Sequence, residues 1–396
     1  MTRIAYAASL ALSAAILVSS ALPANAQTYT VLFNFSNKPL GEPAGRIYIH
    51  GSLFGTGSGY NGDSGQVFEL TKSNGTWNSK AILKFDKTDG AFPLAGLIPD
   101  AAGSLYGTSV NGDIHGHGNV FKLAKSGNLW THSTLWAFGA TGDGQAPSCD
   151  LVMDSAGNMY GTTESGGSNS QGTAFELSFV NGNWTETILH SFGNGSDGAY
   201  PVAGLLLDKS GALYGTTNHG GTDAAGTVFE LKKSNGVWNE SVLYSFAGGS
   251  DGGFPLGILI EDSSGNLYGT TEGGGTGSYG TVFEMSQSGS VWTEQVLYSF
   301  TGGADGGAPQ AGLHSDGNYS TLVGTTEVNG ASGGGTAFKL SKSGGVWNET
   351  TLHAFGSGND GQSPDGQIVR DANGNLYGTT FGGGTHGNGT VWEITP

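Results

Sequence analysis

Histidines, acidic residues and arginines are the side chains of this 396-residue chain that could carry out chemistry, and the histidines are considered first. Four of them lie in glycine-rich stretches: His115, His117, His219 and His386. The His115-x-His117 pair could bind a transition metal, but such a site needs a third fixed ligand, and none follows nearby in sequence. Two interpretations stay open, namely residues of a ligand or catalytic site and solvent-exposed loop histidines.

A second group consists of polar side chains at positions where the corresponding segments elsewhere in the chain carry small or apolar residues. Its members are Arg46, Asp150, Glu261, Asp365, Gln367 and Arg370. Buried charges are normally paired or solvated, so these residues predict either a ligand site or a water-filled channel. An enzyme would bring several of them together beside one histidine, for example Arg46, Asp150 and Arg370.

Turns of the form Asp-Gly-x-x-Pro recur along the chain, and two features of them could bind ligands. Their aspartates, such as Asp197, Asp251 and Asp305, suit a local turn but could also coordinate Ca²⁺. No copy carries the spaced acidic series of a dedicated calcium loop. We therefore expect no resident cofactor, with Ca²⁺ as the one candidate.

Aromatic residues precede the proline in three of these turns: Phe92, Tyr200 and Phe254. Three aromatic side chains around one opening could form stacking platforms for sugar rings. Alternatively they seal the joints between neighbouring structural units, because aromatic side chains usually bury much of their area.

These residues are held by a repeat of about 54 residues, marked by the phrase Tyr-Gly-Thr. The phrase begins at Tyr106, Tyr160, Tyr214, Tyr268 and Tyr377, with variants at Phe54 and Val323. Each unit contains four short strand patterns, which in the fourth copy span 203–207, 212–217, 226–231 and 238–246. Seven such units predict an all-β fold, a seven-bladed β-propeller of four-stranded blades.

The two ends of the repeat region predict how the ring closes. Residues 29–35 match a fourth strand without a third, and residues 392–394 match a third strand without a fourth. Pairing them completes the seventh blade and removes exposed sheet edges. We therefore expect one propeller domain over residues 27–396 and a monomer.

The first 26 residues have the pattern of a signal peptide. Arg3 is followed by an apolar, alanine-rich stretch at 4–18 and by a small-x-small site at 24–26. No other segment is apolar enough to span a bilayer. The sequence therefore predicts an exported protein, periplasmic or extracellular, without a membrane span.

The amino-acid composition restricts the folds and the binding partners that are possible for this chain. Seventy-three glycines argue against long helices, and the single cysteine, Cys149, excludes an intramolecular disulfide. Fifteen Lys and Arg against 32 Asp and Glu give a net charge of −17. A surface of that sign repels phosphate backbones, so nucleic acid is excluded as a partner.

The run Asp-x-x-Gly-Asn-Leu-Tyr-Gly-Thr-Thr at 262–271, with residues 371–380 alike, is followed by Gly-Thr-Val-Phe-Glu and Leu-Tyr-Ser-Phe. This order resembles the GloVer tandem repeat of exported bacterial proteins, which implies export and a repeat architecture but no reaction. The blades are also loosely similar to those of quinoprotein dehydrogenases. That similarity implies an innermost strand after the proline and an outermost strand at the tryptophan.

These observations lead to three hypotheses for function. The first is a binding or interaction module that presents the mouth of the ring to a glycan or a protein. The second is a polysaccharide lyase or glycoside hydrolase that uses the non-repeated His, Glu and Arg residues; Glu164, Glu272 and Glu327, at one shared loop position, could supply an acid and a base. The third is a structural protein of the cell envelope.

Overall fold

The computed structural model describes residues 27–36, 43–59 and 63–396. The predicted signal peptide lies outside the described residues. Every regular element within them is a β-strand, and 28 of these strands form seven four-stranded antiparallel sheets around a ring. The predicted seven-bladed propeller is therefore confirmed.

Each blade places its strands in chain order from the axis outwards, except that the last blade takes its outermost strand from the start of the chain. The strands are Pro43–His50, Ser52–Gly57, Gln66–Ser73 and Thr76–Lys84 in blade 1; Ile98–Pro99, Leu105–Ser109, Asn119–Ser126 and Leu129–Ala137 in blade 2; Val152–Met153, Met159–Thr163, Thr173–Val180 and Asn183–Ser191 in blade 3; Leu206–Leu207, Leu213–Thr217, Thr227–Ser234 and Val237–Ser245 in blade 4; Ile260–Glu261, Leu267–Thr271, Thr281–Ser288 and Val291–Ser299 in blade 5; His314–Ser315, Thr321–Thr326, Thr336–Ser343 and Val346–Ala354 in blade 6; and Val369–Arg370, Leu376–Thr380, Thr390–Thr395 and Thr28–Asn34 in blade 7.

Two further strand pairs lie at the mouth of the ring, the face on which the proline turns open. Gly144–Gln145 pairs with Ser165–Gly166, and Gly361–Gln362 pairs with Gly382–Gly383. In other blades a single bridge joins the same segments, as between Ala199 and His219. The turn before each proline and the loop after each Tyr-Gly-Thr therefore open on one face, as the strand order implies.

The innermost strand is shorter than its sequence pattern predicts. In blade 4 only Leu206–Leu207 pairs as a strand, whereas the pattern extends over 203–207. The hydroxyl of Thr162, in the preceding blade, donates to the carbonyl oxygen of Ala203 at 2.8 Å. The start of the inner segment is thus bonded to its neighbour blade rather than to its own sheet.

Aromatic pairs join every blade to the next. The phenylalanine that follows the fourth strand contacts the aromatic residue of the next blade's third strand, with ring centroids 4.9 to 5.5 Å apart. The pairs are Phe35–Phe68, Phe85–Phe121, Phe138–Phe175, Phe192–Phe229, Phe246–Phe283, Phe300–Phe338 and Phe355–Trp392. Most of these rings are completely buried, so the seven joints form one repeated core.

The ring closes through its first and last strands. Thr28–Asn34 pairs with Thr390–Thr395 in antiparallel register, with Tyr29 opposite Ile394. Phe35 then packs against Phe68 of blade 1. The predicted closure is therefore confirmed.

The glycine of Tyr-Gly-Thr is needed because a third-strand ring lies over it. In blade 4 a Cβ on Gly215 would lie 2.5 Å from Cζ of Phe229 and 2.9 Å from Leu205. Those neighbours are fully buried and have no space into which to move.

Replacing Gly215 by alanine should therefore overpack the core. We expect Gly215→Ala to lower the free energy of unfolding by about 1–3 kcal/mol, measured by urea denaturation. Gly249→Ala is the matched control, because its Cβ would meet only an Asp251 oxygen, at 3.8 Å. Equal stability of the two variants would contradict this packing role.

Candidate functional site

Seven inner segments meet at the axis, and their third residue after the proline alternates between large and small. The positions are occupied in blade order by Arg46, Gly96, Asp150, Gly204, Ile258, Gly312 and Gln367. A Cβ on Gly96 would lie 3.0 Å from Arg46, and one on Gly312 would lie 2.6 Å from Ile258. The three glycines therefore make room for the four large side chains.

Two polar members of this ring form an ion pair, and the third bonds the backbone of the preceding blade. Nε of Arg46 lies 3.5 Å from Oδ2 of Asp150, whose Oδ1 accepts a hydrogen bond from the Gly96 amide. Nε2 of Gln367 donates to the carbonyl oxygen of Leu313 at 2.7 Å. Arg46, Asp150 and Gln367 are thus brought together, as a predicted set at the axis requires.

These side chains divide the axial space into two cavities. A cavity of about 130 Å³ faces the mouth, and one of about 370 Å³ lies towards the opposite face. Arg46, Ile258 and Gln367 line both. Three buried polar atoms of residues lining the mouth-side cavity have no hydrogen-bond partner among the described residues: Oγ of Ser148, Oδ1 of Asp365 and Oε1 of Gln367. Unpartnered buried atoms of this kind favour a polar occupant, a water or a ligand hydroxyl.

Carboxyl and amide groups gather beside this cavity on blades 5 to 7. Nε2 of Gln310 donates to Glu327 at 2.6 Å and to Glu272 at 3.2 Å. Burial and the charge of Glu272 raise the pKa of Glu327. Burial, followed by the charge of Glu327, raises the pKa of Asp365 to about 7. This group can accept hydrogen bonds from hydroxyl donors.

Aromatic side chains lie next to this group on the rim of blades 4 and 5. The ring of His219 lies 5.7 Å from that of Tyr200 and 5.4 Å from that of Phe254. Tyr200 is 38% exposed, whereas Phe254 packs partly into the core of its joint. The Glu272 amide donates to the carbonyl oxygen of Phe254, which makes the aromatic and carboxyl groups neighbours.

The residue before the proline has a positive φ in every Asp-Gly-x-x-Pro turn, including 56° at Tyr200 and 60° at Phe254. An aromatic residue is unfavourable in this conformation, where glycine or asparagine is usual. Because Ala146, Ala308 and Ser363 share this conformation, it belongs to the repeated turn and does not distinguish one site.

Other predicted site residues lie apart from this region. Phe92 is on blade 2, where His115 and His117 are exposed on a separate loop, and His386 is exposed on blade 7. Arg370 is on the face opposite the mouth, in a cavity separate from that of Arg46 and Asp150. The cluster that the enzyme hypothesis requires, with Arg370 and a mouth histidine beside Arg46 and Asp150, is not assembled.

The aspartates of the Asp-Gly turns accept hydrogen bonds from their own turns. Asp251 accepts from the amides of Ala247 and Gly249 and from the hydroxyl of Tyr244. Asp305 accepts from Thr301 and Tyr298, and Asp197 from His190 and the amide of Gly193. Within the described ranges no group of three His, Cys, Asp or Glu residues is placed to hold a metal ion.

Half-buried glutamates of the fourth strands lie near the turn aspartates, across the joint from the preceding blade. The pairs are Glu186 with Asp143, Glu240 with Asp197 and Glu294 with Asp251. Burial and the neighbouring charge raise the pKa of Glu186 to about 8 and those of Glu240 and Glu294 to about 7. One carboxyl oxygen of each has no hydrogen-bond partner among the described residues.

Comparison with protein families accounts for the repeat. One family model, that of the Gloeobacter/Verrucomicrobia repeat, matches the sequence twice, over residues 19–222 and 204–396. The chain belongs to this repeat family. The resemblance seen in its motifs is thereby confirmed, and the repeat family covers all seven blades. No curated protein sequence gives a significant match.

Solved structures share the fold of this repeat-family member but little of its sequence. Polysaccharide lyase Uly1 aligns with a TM-score of 0.51 and 11% identity over 91% of each chain. A proposed 6-phosphogluconolactonase from Bacteroides uniformis aligns with a TM-score of 0.49 and 14% identity, covering 85% of this chain and 88% of its own. At such identities the likeness extends to the fold alone.

Sequence reasoning missed Gln310, although a signal for it exists. Gln310 directly follows its proline, a position that holds Leu94, Val202 and Leu256 in three other blades. The comparison that identified Asp365, which directly follows the proline of blade 7, applies equally to Gln310. In the part of the chain that the structure describes, no helix is long and apolar enough to cross a bilayer.

The half-buried glutamates predict an unusual dependence of stability on pH. An unfolded glutamate has a pKa of about 4.3, so a folded pKa near 7 means that the folded state binds more protons between these values. The stability associated with protonated Glu240 is therefore fully present below about pH 4.3, and it is lost as the pH rises from there through 7. We expect Glu240→Gln to raise the thermal midpoint relative to the wild type at pH 8.5 and to leave it nearly unchanged at pH 4.

Scanning calorimetry at the two pH values tests this expectation. Glu164→Gln is the matched control, because Glu164 is exposed, and we expect the same midpoint as the wild type at both values. If Glu240→Gln and the wild type have the same thermal midpoint at pH 8.5, then Glu240 ionises in the folded protein at no cost in stability.

Proposed function

We propose that this chain is an exported binding module that recognises a neutral glycan at the mouth of the propeller. The supporting observation is that the Tyr200–His219–Phe254 rings and the hydrogen-bonding group of Glu272, Gln310 and Glu327 are joined by a backbone hydrogen bond from Glu272 to Phe254. Aromatic faces complement the apolar faces of sugar rings, and carboxylate and amide oxygens accept hydrogen bonds from sugar hydroxyls.

The unpartnered atoms in the mouth-side axial cavity support the same proposal. Oδ1 of Asp365 and Oε1 of Gln367 are acceptors that need donors, and a sugar hydroxyl supplies one. At about 130 Å³ the cavity admits part of a ligand rather than a whole sugar ring. The glycan would therefore lie over the rim and extend one substituent towards the axis.

Charge favours neutral glycans over acidic ones at this site. Glu272, Glu327 and Asp365 lie together on a chain whose net charge is −17. Approach of a second negative charge would be unfavourable there. Export, predicted from residues 1–26, would give the module access to extracellular or envelope glycans.

One observation favours a second candidate function, glycan hydrolysis. A carboxyl group with a pKa near 7, such as that of Asp365, is suited to donate a proton, and Glu327 is a carboxylate nearby. Incubation with the bound glycan, followed by mass spectrometry, distinguishes the candidates. New reducing ends that disappear in Asp365→Asn would support hydrolysis, whereas an unchanged glycan supports binding alone.

Tyr200→Ala tests the proposed binding module. We expect this variant to bind neutral glycans at least tenfold more weakly, about 1.4 kcal/mol, because it removes the exposed stacking face. A glycan array identifies the ligand, and titration calorimetry then measures its affinity for both proteins.

The control for that measurement is Phe179→Ala, which removes an exposed aromatic ring from the hairpin between the third and fourth strands of blade 3. Its glycan affinity should equal that of the wild type. A wild-type protein that binds no neutral glycan on the array, or a Tyr200→Ala variant with full affinity, would overturn the proposal.

A further inference from the structure

Blade 6 departs from the repeat at two paired positions. Val323 stands where five blades have the tyrosine of Tyr-Gly-Thr, and it pairs with Lys339, which stands where most blades have glutamate. In blade 5 the corresponding residues are bonded, since the hydroxyl of Tyr268 donates to Glu284 at 3.0 Å. Blade 6 therefore lacks both the ring and the acid of this pair.

A cavity of about 310 Å³ lies at this place, between blades 6 and 7 on the face opposite the mouth. Val323, Leu352 and Leu376 contribute an apolar part of its wall. A valine in place of a tyrosine leaves room for it, because the missing ring is not replaced by another side chain.

Three basic side chains line the same cavity: His314, Lys339 and Arg370. His314 is itself a departure, at a position that is Ile98, Val152 or Leu206 in other blades. No described residue forms a hydrogen bond or ion pair with the Lys339 ammonium or the Arg370 guanidinium. Burial and the positive charges of Arg370 and Arg46 lower the pKa of His314, as expected where cations are crowded.

In blade 2 the lysine at the position corresponding to Lys339 has an acidic partner and an aromatic contact. There Lys122 lies 3.6 Å from Asp100 and over the ring of Tyr106, with Nζ 5.0 Å from the ring centroid. In blade 6 the corresponding aspartate, Asp316, also lines the cavity, but its Oδ2 accepts a hydrogen bond from the hydroxyl of Ser320 at 2.7 Å and it forms no ion pair with Lys339. The positive charge of Lys339 is therefore left to the cavity.

We infer that this cavity binds a small anion that carries a carboxylate on a body of sugar-ring size. Arg370 presents a planar fork that matches a carboxylate, Lys339 adds a point charge, and His314 adds a ring nitrogen. The apolar wall suits the face of a ring. This site is distinct from the proposed glycan site and carries the opposite charge.

Titration calorimetry with D-glucuronate tests the inference, with D-glucose as the neutral ring and sodium sulfate as the anion without a ring. We expect saturable binding of one glucuronate and at least tenfold weaker binding of sulfate. Absence of glucuronate binding at millimolar concentrations would overturn the inference. Sulfate binding as tight as that of glucuronate would overturn the assignment of a ring-bearing ligand.

The double substitution V323Y/K339E tests whether glucuronate binds in this cavity. It rebuilds the tyrosine–glutamate pair of blades 4, 5 and 7, so it is expected to fold while filling the cavity and reversing its charge. We expect at least a tenfold loss of glucuronate affinity. Arg370→Leu is a second variant, for which we expect the same loss of glucuronate affinity. Leucine is the residue at the corresponding position of blade 4, Leu207.

Lys342→Glu is the matched control, because Lys342 lies on the same strand but over the ring of Trp347, outside the cavity. Its glucuronate affinity should equal that of the wild type. Tyr200→Ala should also leave glucuronate binding unchanged, so failure of the glycan proposal and failure of this one are distinguishable. Full affinity in both V323Y/K339E and Arg370→Leu would overturn the inference.

Discussion

The structure depends on one contact made seven times, the aromatic pair that joins the end of each blade to the third strand of the next. Each pair buries two large rings in a joint that a single four-stranded sheet cannot close alone. Because the pair Phe35–Phe68 joins the first and last blades, the same contact also closes the ring. A glycine is required beside each third-strand ring because a Cβ at that position would clash with the ring.

Closure of seven blades imposes a second constraint, at the axis. The inner segments approach so closely that large side chains alternate with glycine, and Arg46, Ile258 and Gln367 separate two cavities. The axis is consequently filled by side chains near its middle. Space for ligands is left at the two faces, where the segments diverge.

The two faces differ in charge and shape because different residues depart from the repeated sequence at each face. At the mouth, the carboxyl groups of Glu327 and Asp365 lie on blades 6 and 7, and the rings of Tyr200 and Phe254 lie on blades 4 and 5. On the opposite face a missing tyrosine ring and three basic side chains form a cavity of the other sign. Although the chain has only 15 Lys and Arg residues, His314, Lys339 and Arg370 therefore meet on the face opposite its acidic mouth.

The sequence by itself determined the number of blades, the order of strands and the closing pair, because each follows from local patterns that recur seven times. It also identified Arg46, Asp150 and Gln367 as departures from the repeat. Only the tertiary structure decided which departures meet. Arg46 bonds Asp150, 104 positions away, whereas Arg370 lies on the opposite face with His314 and Lys339. Such contacts depend on which blades adjoin and at which end of a strand a residue lies, and neither is a local property of the chain.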